Sequence, residues 1–203
     1  MRETIATSFD TRIKTIAKTI KNIERKTRWE IRRFESKNDH KAQLKADAEK
    51  EKIELYTEKE AIRLFGAPQH TFIQGNITLN EGINEIFTIL CSGGGTKFDS
   101  ANAHLGVGDS TTASKVTQTG LQAETNKLYK AMDATYPTYG TSQKATWKST
   151  FETTEANFAW NEFTLANGNS DSAINLNRKV VQQGTKQNDQ IWELTQEMSL
   201  GLS

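Results

Sequence analysis

Few residues in this chain are spaced to do chemistry. The three histidines, His40, His70 and His104, stand far apart with no cysteine or carboxylate at ligand spacing on one element, so no zinc site is written into the sequence. Neither Gly-x-Ser-x-Gly nor His-Glu-x-x-His occurs, which removes two common hydrolase signatures. Glu152 with Glu155, and Glu81 with Glu85, are carboxylate pairs of the kind a glycosidase uses. With 25 acidic residues in 203, such pairs arise by chance, and a turn or cap role is the reading adopted. The run Asp109-Ser110-Thr111-Thr112 offers oxygen ligands but too few carboxylates for Ca²⁺. Gly93-Gly94-Gly95 lacks the Lys-Ser/Thr of a phosphate-binding loop. The single cysteine, Cys91, excludes an intramolecular disulfide, fits a reducing cytoplasm, and reads as a small core residue. The expectation is a non-enzymatic protein with no catalytic residue, no metal and no cofactor.

One cluster could bind rather than react. The chain's net charge of +1 hides an asymmetry: residues 1–65 carry 17 Lys+Arg against 12 Asp+Glu, so the remainder is acidic. Arg25, Lys26, Arg28, Arg32 and Arg33 surround Trp29 and Phe34, a mixture of cations and aromatics suited to nucleic acid. Glu24, Glu30 and Glu35 interleave with them, so a solvated helix face is the first reading, and contact with an acidic protein surface is preferred over contact with DNA.

These residues must be held by something. From Arg2 to Phe65 there is no glycine or proline, and Gly66-Ala67-Pro68 then stops the run, which predicts a long helical tract. A heptad register places Phe9, Ile13, Ile16, Ile20 and Ile23 on one apolar seam, an oligomerisation and anchoring stripe that favours three or more strands. Thr27, Glu30, Lys37 and Lys41 break that seam. Two structures fit: one helix of about 60 residues in a trimeric coiled coil, or a helical hairpin turning near Ser36 to Asp39.

Residues 66–71 read as a linker and 72–203 as a domain. HTFIQGNITL begins with a strand, and LNEGINEIFTILCSGGG reads as a short helix. Asn80 is its expected N-cap, and Ile83, Ile86, Phe87 and Leu90 recur at helical spacing. Gly82 in the first turn weakens the helix and calls for a close packing contact. Leu105 and Val107 mark a strand that leaves through Gly108 into a polar loop. Further strands are expected at 126–132, 145–151, 158–165, 176–182 and 190–200, separated by glycine-, proline- and asparagine-containing turns. Trp147, Phe151, Phe158, Trp160, Phe163 and Trp192 would supply most of the core. The expected fold is therefore α+β: a long N-terminal helical tract, then a mainly antiparallel, jelly-roll-like β-sandwich carrying one short helix.

Several stretches in this order resemble a module of tailed-bacteriophage virion structural proteins, found in decoration, fibre-like and other minor particle components. They are LNEGINEIFTIL, LGVGDSTTA, TGLQAE, STFETTEANFAWNEFTLAN, LNRKVV with QGTK, and WELTQEMSLGLS, together covering about residues 72–203. LGVGDSTTA is similar to that family's strand ending in Val-Gly-x-Gly/Asp-x-Thr-Thr-Ala, and TGLQAE to its Thr-x-Leu-x-x-Glu return. The resemblance implies a structural protein with no active site, and the N-terminal helical tract lies outside it. With a compact β-domain and no long shaft, the expected role is a capsid decoration, cement or head-fibre protein attached through that tract. A tail or baseplate fibre or adaptor contacting a host receptor, or a virion protein touching packaged DNA, is the alternative. Partners would be other virion proteins, major capsid or tail, and copies of the chain in a trimer, with no membrane. Its location would be the virion, assembled in the host cytoplasm.

Overall fold

The computed structural model describes residues 23–35, 62 and 66–202. They form two five-stranded antiparallel sheets packed face to face, with one short helix on the outside. The strands are β1 (Ile23–Glu35), β2 (Gln69–Gln74), β3 (Ile77–Thr78), β4 (His104–Gly108), β5 (Lys127–Ala131), β6 (Thr138–Thr141), β7 (Lys144–Phe151), β8 (Glu162–Ala166), β9 (Asn175–Val180) and β10 (Gln190–Leu202). The helix, α1, spans Asn80–Ser92. The first sheet runs β2-β1-β10-β7-β6 and the second β3-β9-β8-β4-β5.

The expected long helix is overturned by β1, which lies in the middle of the tract. Ile23 to Glu35 pairs antiparallel along its whole length with β10, from Ile23 opposite Leu202 to Glu35 opposite Gln190. Its other side pairs with β2 over Arg28 to Arg33. The physical reason is a period of two: Thr27, Trp29 and Ile31 are buried, while Arg28, Glu30 and Arg32 between them take the other face. Thr27 and Glu30, which interrupt the heptad seam, are thus in step with a strand. Phe9, Ile13, Ile16 and Ile20 lie outside the described residues, as does the suspected turn at Ser36–Asp39; Ile23 is the first residue of β1. Apart from α1, Ile62 alone among the described residues is helical, and Gly66 (φ 89°) donates its N–H to the Ile62 carbonyl.

The core lies between the sheets. Trp29, Ile31, Trp147, Phe151, Trp192 and Leu194 from the first sheet meet Leu105, Val107, Phe163, Leu165 and Leu176 from the second. Trp160 is its centre, fully buried, with ring centroids 4.8 Å from Phe151, 4.8 Å from Trp192 and 6.1 Å from Phe163. Its indole N–H donates to the Ala156 carbonyl at 3.0 Å, so the polar end is satisfied. Five of the six aromatics expected in the core are buried, and Phe158 packs against the cluster half-buried.

The outer side of the second sheet carries a third layer, made of α1 and the polar loop after β4. Gly82 makes this layer possible: a Cβ there would lie 2.5 Å from Leu176 Cα and 2.6 Å from its carbonyl oxygen. The helix therefore sits backbone against backbone on β9. Its N-cap is Leu79, with no side-chain capping bond, and Asn80 is the first helical residue rather than the cap. Gly93 closes the helix in the left-handed region (φ 67°), donating to the Ile89 carbonyl.

Candidate interaction surface

The helix α1 is mounted with its polar face inward. Glu81 Oε1 accepts the Asn175 N–H at 2.9 Å, and Glu85 Oε1 accepts from Thr96 N at 2.6 Å and Asn167 Nδ2 at 3.2 Å. Burial pushes the Glu81 carboxyl above its ordinary value, while the Asn175 N–H holds it back. Glu81, Gly82 and Glu85, with half-buried Ile89, face the sheet. The apolar residues that recur at helical spacing point the other way. Ile83 is 39 % exposed, Ile86 38 %, Phe87 57 % and Leu90 75 %. At i, i+3, i+4 and i+7 these side chains form one strip about 100° wide. Val116, 48 % exposed, lies beside the start of the helix, where the Asn80 N–H donates to its carbonyl at 2.8 Å. Cys91, expected in the core, is exposed at the strip's flank.

The loop that carries LGVGDSTTA is held down by a buried ion pair whose two residues lie in separate stretches of the resemblance, with nothing in either to announce the pairing. Glu162 and Arg178 are both fully buried. Arg178 Nε donates to Glu162 Oε2 at 2.7 Å, and Nη2 lies 2.7 Å from the same oxygen. Arg178 Nη1 donates to the Thr112 carbonyl and to Gln118 Oε1 at 2.9 and 3.1 Å. Glu162 in turn accepts the N–H groups of Gln122 and Ala123, at 3.0 and 2.7 Å. A Cβ on Gly108 would sit 2.5 Å from Glu162 Oε1, and one on Gly106 2.6 Å from Thr164 Cγ2. The two glycines of the motif thus clear space for the pair and its lid. Tyr129 completes the clamp, donating its hydroxyl to Asp171 Oδ1 at 2.8 Å and accepting from Leu121 N. Burial raises its hydroxyl pKa.

The predicted basic face is divided by the strand. Arg28 and Arg32 share the outer surface of the first sheet with carboxylates on β10: Arg32 lies 2.8 Å from Glu193 and Arg28 3.8 Å from Glu197. Lys148 and Lys144 approach the same two carboxylates from β7, each within 2.9 Å. Lys26 has the same parity on β1. Arg33 turns to the inner side, over the Trp192 ring at 4.6 Å, donating to Thr71 Oγ1 and Gln183 Oε1. Arg25 donates to Asn76 Oδ1 at 3.1 Å. Burial lowers the pKa of both Arg25 and Arg33. Alternating charge across three strands replaces a single cationic face.

His70 pairs with Glu30 at 2.7 Å, His104 with the Asn102 carbonyl at 2.8 Å, and His40 lies outside the described residues. Asp109 accepts from Asn126 Nδ2 at 2.8 Å. Glu155 caps the turn after β7, accepting the Glu152 N–H at 2.9 Å, and pairs with Lys130 at 2.6 Å. Glu152 lines a cavity of about 360 Å³ with Lys130, Met132, Asp133, Thr154 and Glu155. Among the described residues no group of three or more His, Cys, Asp or Glu is placed to hold a metal ion, and no helix is long and apolar enough to cross a membrane.

The comparisons add no relative: no protein-family model, no curated protein and no solved structure matches this chain. The outward strip of α1 leaves four large apolar side chains exposed, and its sequence signal was present in part. The helical period of Ile83, Ile86, Phe87 and Leu90 was readable; that Glu81 and Glu85 would take the inward side was not.

Proposed function

We propose that this chain is a non-enzymatic structural protein of a tailed-phage particle, bound on the head as a decoration, cement or head-fibre component. The single observation that carries the reading is the exposed apolar strip of α1, four large side chains on one face of one helix. Monomeric proteins rarely hold such contiguous apolar surface in water, and a protein that works inside an assembly has it covered. The resemblance over residues 72–203 supports the same reading. Its motif residues are used for construction: Gly106 and Gly108 clear room beneath the loop, and Glu162 fastens that loop through Gln122 and Ala123. The head is preferred because the described residues make a compact sandwich and not a shaft. Attachment is assigned to the sandwich itself, since β1 occupies part of the expected helical anchor.

The test is to find the chain in particles. Mass spectrometry of gradient-purified virions from the source lysate should detect it, and gold-labelled antibody should mark the heads. Absence from purified virions would sink the reading, and label confined to the tail would move the protein to the tail or baseplate.

A further inference from the structure

We infer that Lys186 and Asn157 join in an amide bond within the chain, formed once and with loss of ammonia. Lys186 is fully buried, and both acceptors that hold it are neutral: the Glu152 carbonyl at 2.6 Å and Asn157 Oδ1 at 2.9 Å. A lysine is almost never buried this completely without a paired charge, because its ammonium forfeits hydration. Burial pulls its pKa down to about 8, so near neutral pH part of the population is the free, nucleophilic amine. An amide at this position removes the buried charge altogether.

The two groups are held as reactants. Asn157 Cγ lies one bond beyond Oδ1, at most about 4.1 Å from Nζ. Rotation about the soft Cβ–Cγ torsion turns the face of the carboxamide towards the amine. The backbones that carry them are in register. The Trp160 N–H donates to the Gly184 carbonyl at 2.9 Å, and the Lys186 N–H to the Phe158 carbonyl at 3.1 Å. Ala156, directly before Asn157, stands in the left-handed region (φ 50°), where a residue with a Cβ is uncommon. Its carbonyl is fixed there by the Trp160 indole and the Phe158 N–H. Backbone strain of this kind gathers at sites that must present a side chain in one position. Asn157 Nδ2 donates to the Thr153 carbonyl at 2.8 Å, which leaves the oxygen end of the carboxamide towards Lys186.

The step balances without an oxidant or a co-reactant. The Nζ lone pair attacks Cγ, the Nζ–Cγ bond forms, and the Cγ–Nδ2 bond breaks with its electron pair leaving on Nδ2. Nζ sheds one proton and Nδ2 takes one up, so amine and primary amide become secondary amide and ammonia. The Glu152 carboxyl can carry that proton. Neither of its oxygens is in a hydrogen bond, its own residue already holds Nζ through the carbonyl, and burial pushes it up to about 7. Asn157 is exposed, so ammonia leaves to solvent. With the bond open, as here, Glu152 and Lys186 titrate as free groups; closure ends the titration of the lysine. This inference does not rest on the virion reading, because the bond is internal to one chain.

The experiment is mass spectrometry of the full chain, intact and after digestion, following incubation at about pH 8. The expected mass is about 17 Da, one ammonia, below that of the sequence, with a digestion product joining the Lys186 peptide to the Asn157 peptide. Asn157→Ala changes an exposed side chain and should restore the full mass with the far-ultraviolet spectrum unchanged. Lys186→Arg keeps a cation without the amine and should do the same. A chain at full mass with no joined peptide overturns the inference. So does a gain of about 1 Da at Asn157, which would mean that water and not Lys186 takes the carboxamide, or a loss of ammonia that maps to another asparagine. Should either variant fail to fold, the joined peptide from the unmodified chain decides alone.

Discussion

Two glutamates are buried in this sandwich, and their surroundings could hardly differ more. Glu162, fully buried, receives the Arg178 guanidinium and the N–H groups of Gln122 and Ala123. Glu152, only 5 % exposed, has neither carboxylate oxygen in a hydrogen bond. The nearby cations are engaged elsewhere: Lys130 by Glu155, and Lys186 by the Glu152 carbonyl and Asn157 Oδ1 at 2.6 and 2.9 Å. Burial accordingly pushes the Glu152 carboxyl up to about 7, and it pulls the Lys186 ammonium down to about 8. The lesson is that depth alone does not set the state of a carboxylate; the donors aimed at it do. One glutamate is a fastener and the other is a strained guest.

The comparison breaks first at Arg178. Arg178→Met leaves Glu162 buried without its counter-charge and frees the Thr112 carbonyl and Gln118 from their shared donor. The loss should be about 3–5 kcal/mol in urea unfolding. Replacing both partners, Glu162→Leu with Arg178→Met, should recover part of it, because no lone charge then remains buried. A loss near zero for the single variant would mean that the carboxylate does not need the arginine. Gly108→Ala attacks the same fastener sterically. Its Cβ would press on Glu162 Oε1 at 2.5 Å and Cγ at 3.0 Å, while backbone N–H groups hold that carboxylate in place. About 1–3 kcal/mol should be lost, and an unchanged denaturation midpoint would show that the pair can shift aside.

Glu152 should respond in the opposite direction. A carboxyl raised from 4.5 to about 7 holds its proton more tightly in the folded state. Its favourable contribution is complete below pH 4.5 and is lost as pH rises through 7. Glu152→Gln removes the titration. The variant should match the parent near pH 4.5 and exceed it by about 1–3 kcal/mol at pH 8. Lys186 works the other way: its lowered pKa places a penalty below pH 8 that fades between 8 and 10.5, so the comparison stops at pH 8. An equal effect of the substitution at both pH values would show that Glu152 is not the group being strained.

How much of this could be read from the chain depends on how far apart the deciding residues lie. KATWKSTF in β7 announces itself, because Trp147, Ser149 and Phe151 are buried at a period of two and the spacing is entirely local. IERKTRWEIRRFE carries the same period, but its Arg, Lys and Glu are also good helix formers and no glycine or proline interrupts them. What settles it as β1 is pairing with β10 at the far end of the chain and with β2, and that is tertiary context. In α1 the period is legible and the direction is not, since Gly82 selects the inward face only once β9 is there to receive it. Glu162 and Arg178 share no motif. The β8–β9 register, with Thr164 opposite Arg178, brings them within reach. Site residues on one element could be found by spacing; those assembled by strand pairing could not.

The smallest expected effect lies on the outer face of the first sheet, where ion pairs meet water. Lys144 Nζ approaches Glu197 Oε2 at 2.9 Å, a geometry as good as the buried pair's, yet the lysine side chain is 41 % exposed. Water already solvates both groups, and salt screens what attraction remains. Lys144→Ala should therefore lose only about 0.2–1 kcal/mol at low salt, and less as salt is added. Arg28, 3.8 Å from Glu197, softens the loss further by leaving that carboxylate a second cation. A larger loss that persists at high salt would mean that the outer-face ladder behaves like Glu162 and Arg178, with something excluding water from it. Charge pairs in this protein would then be graded by cover and not by distance.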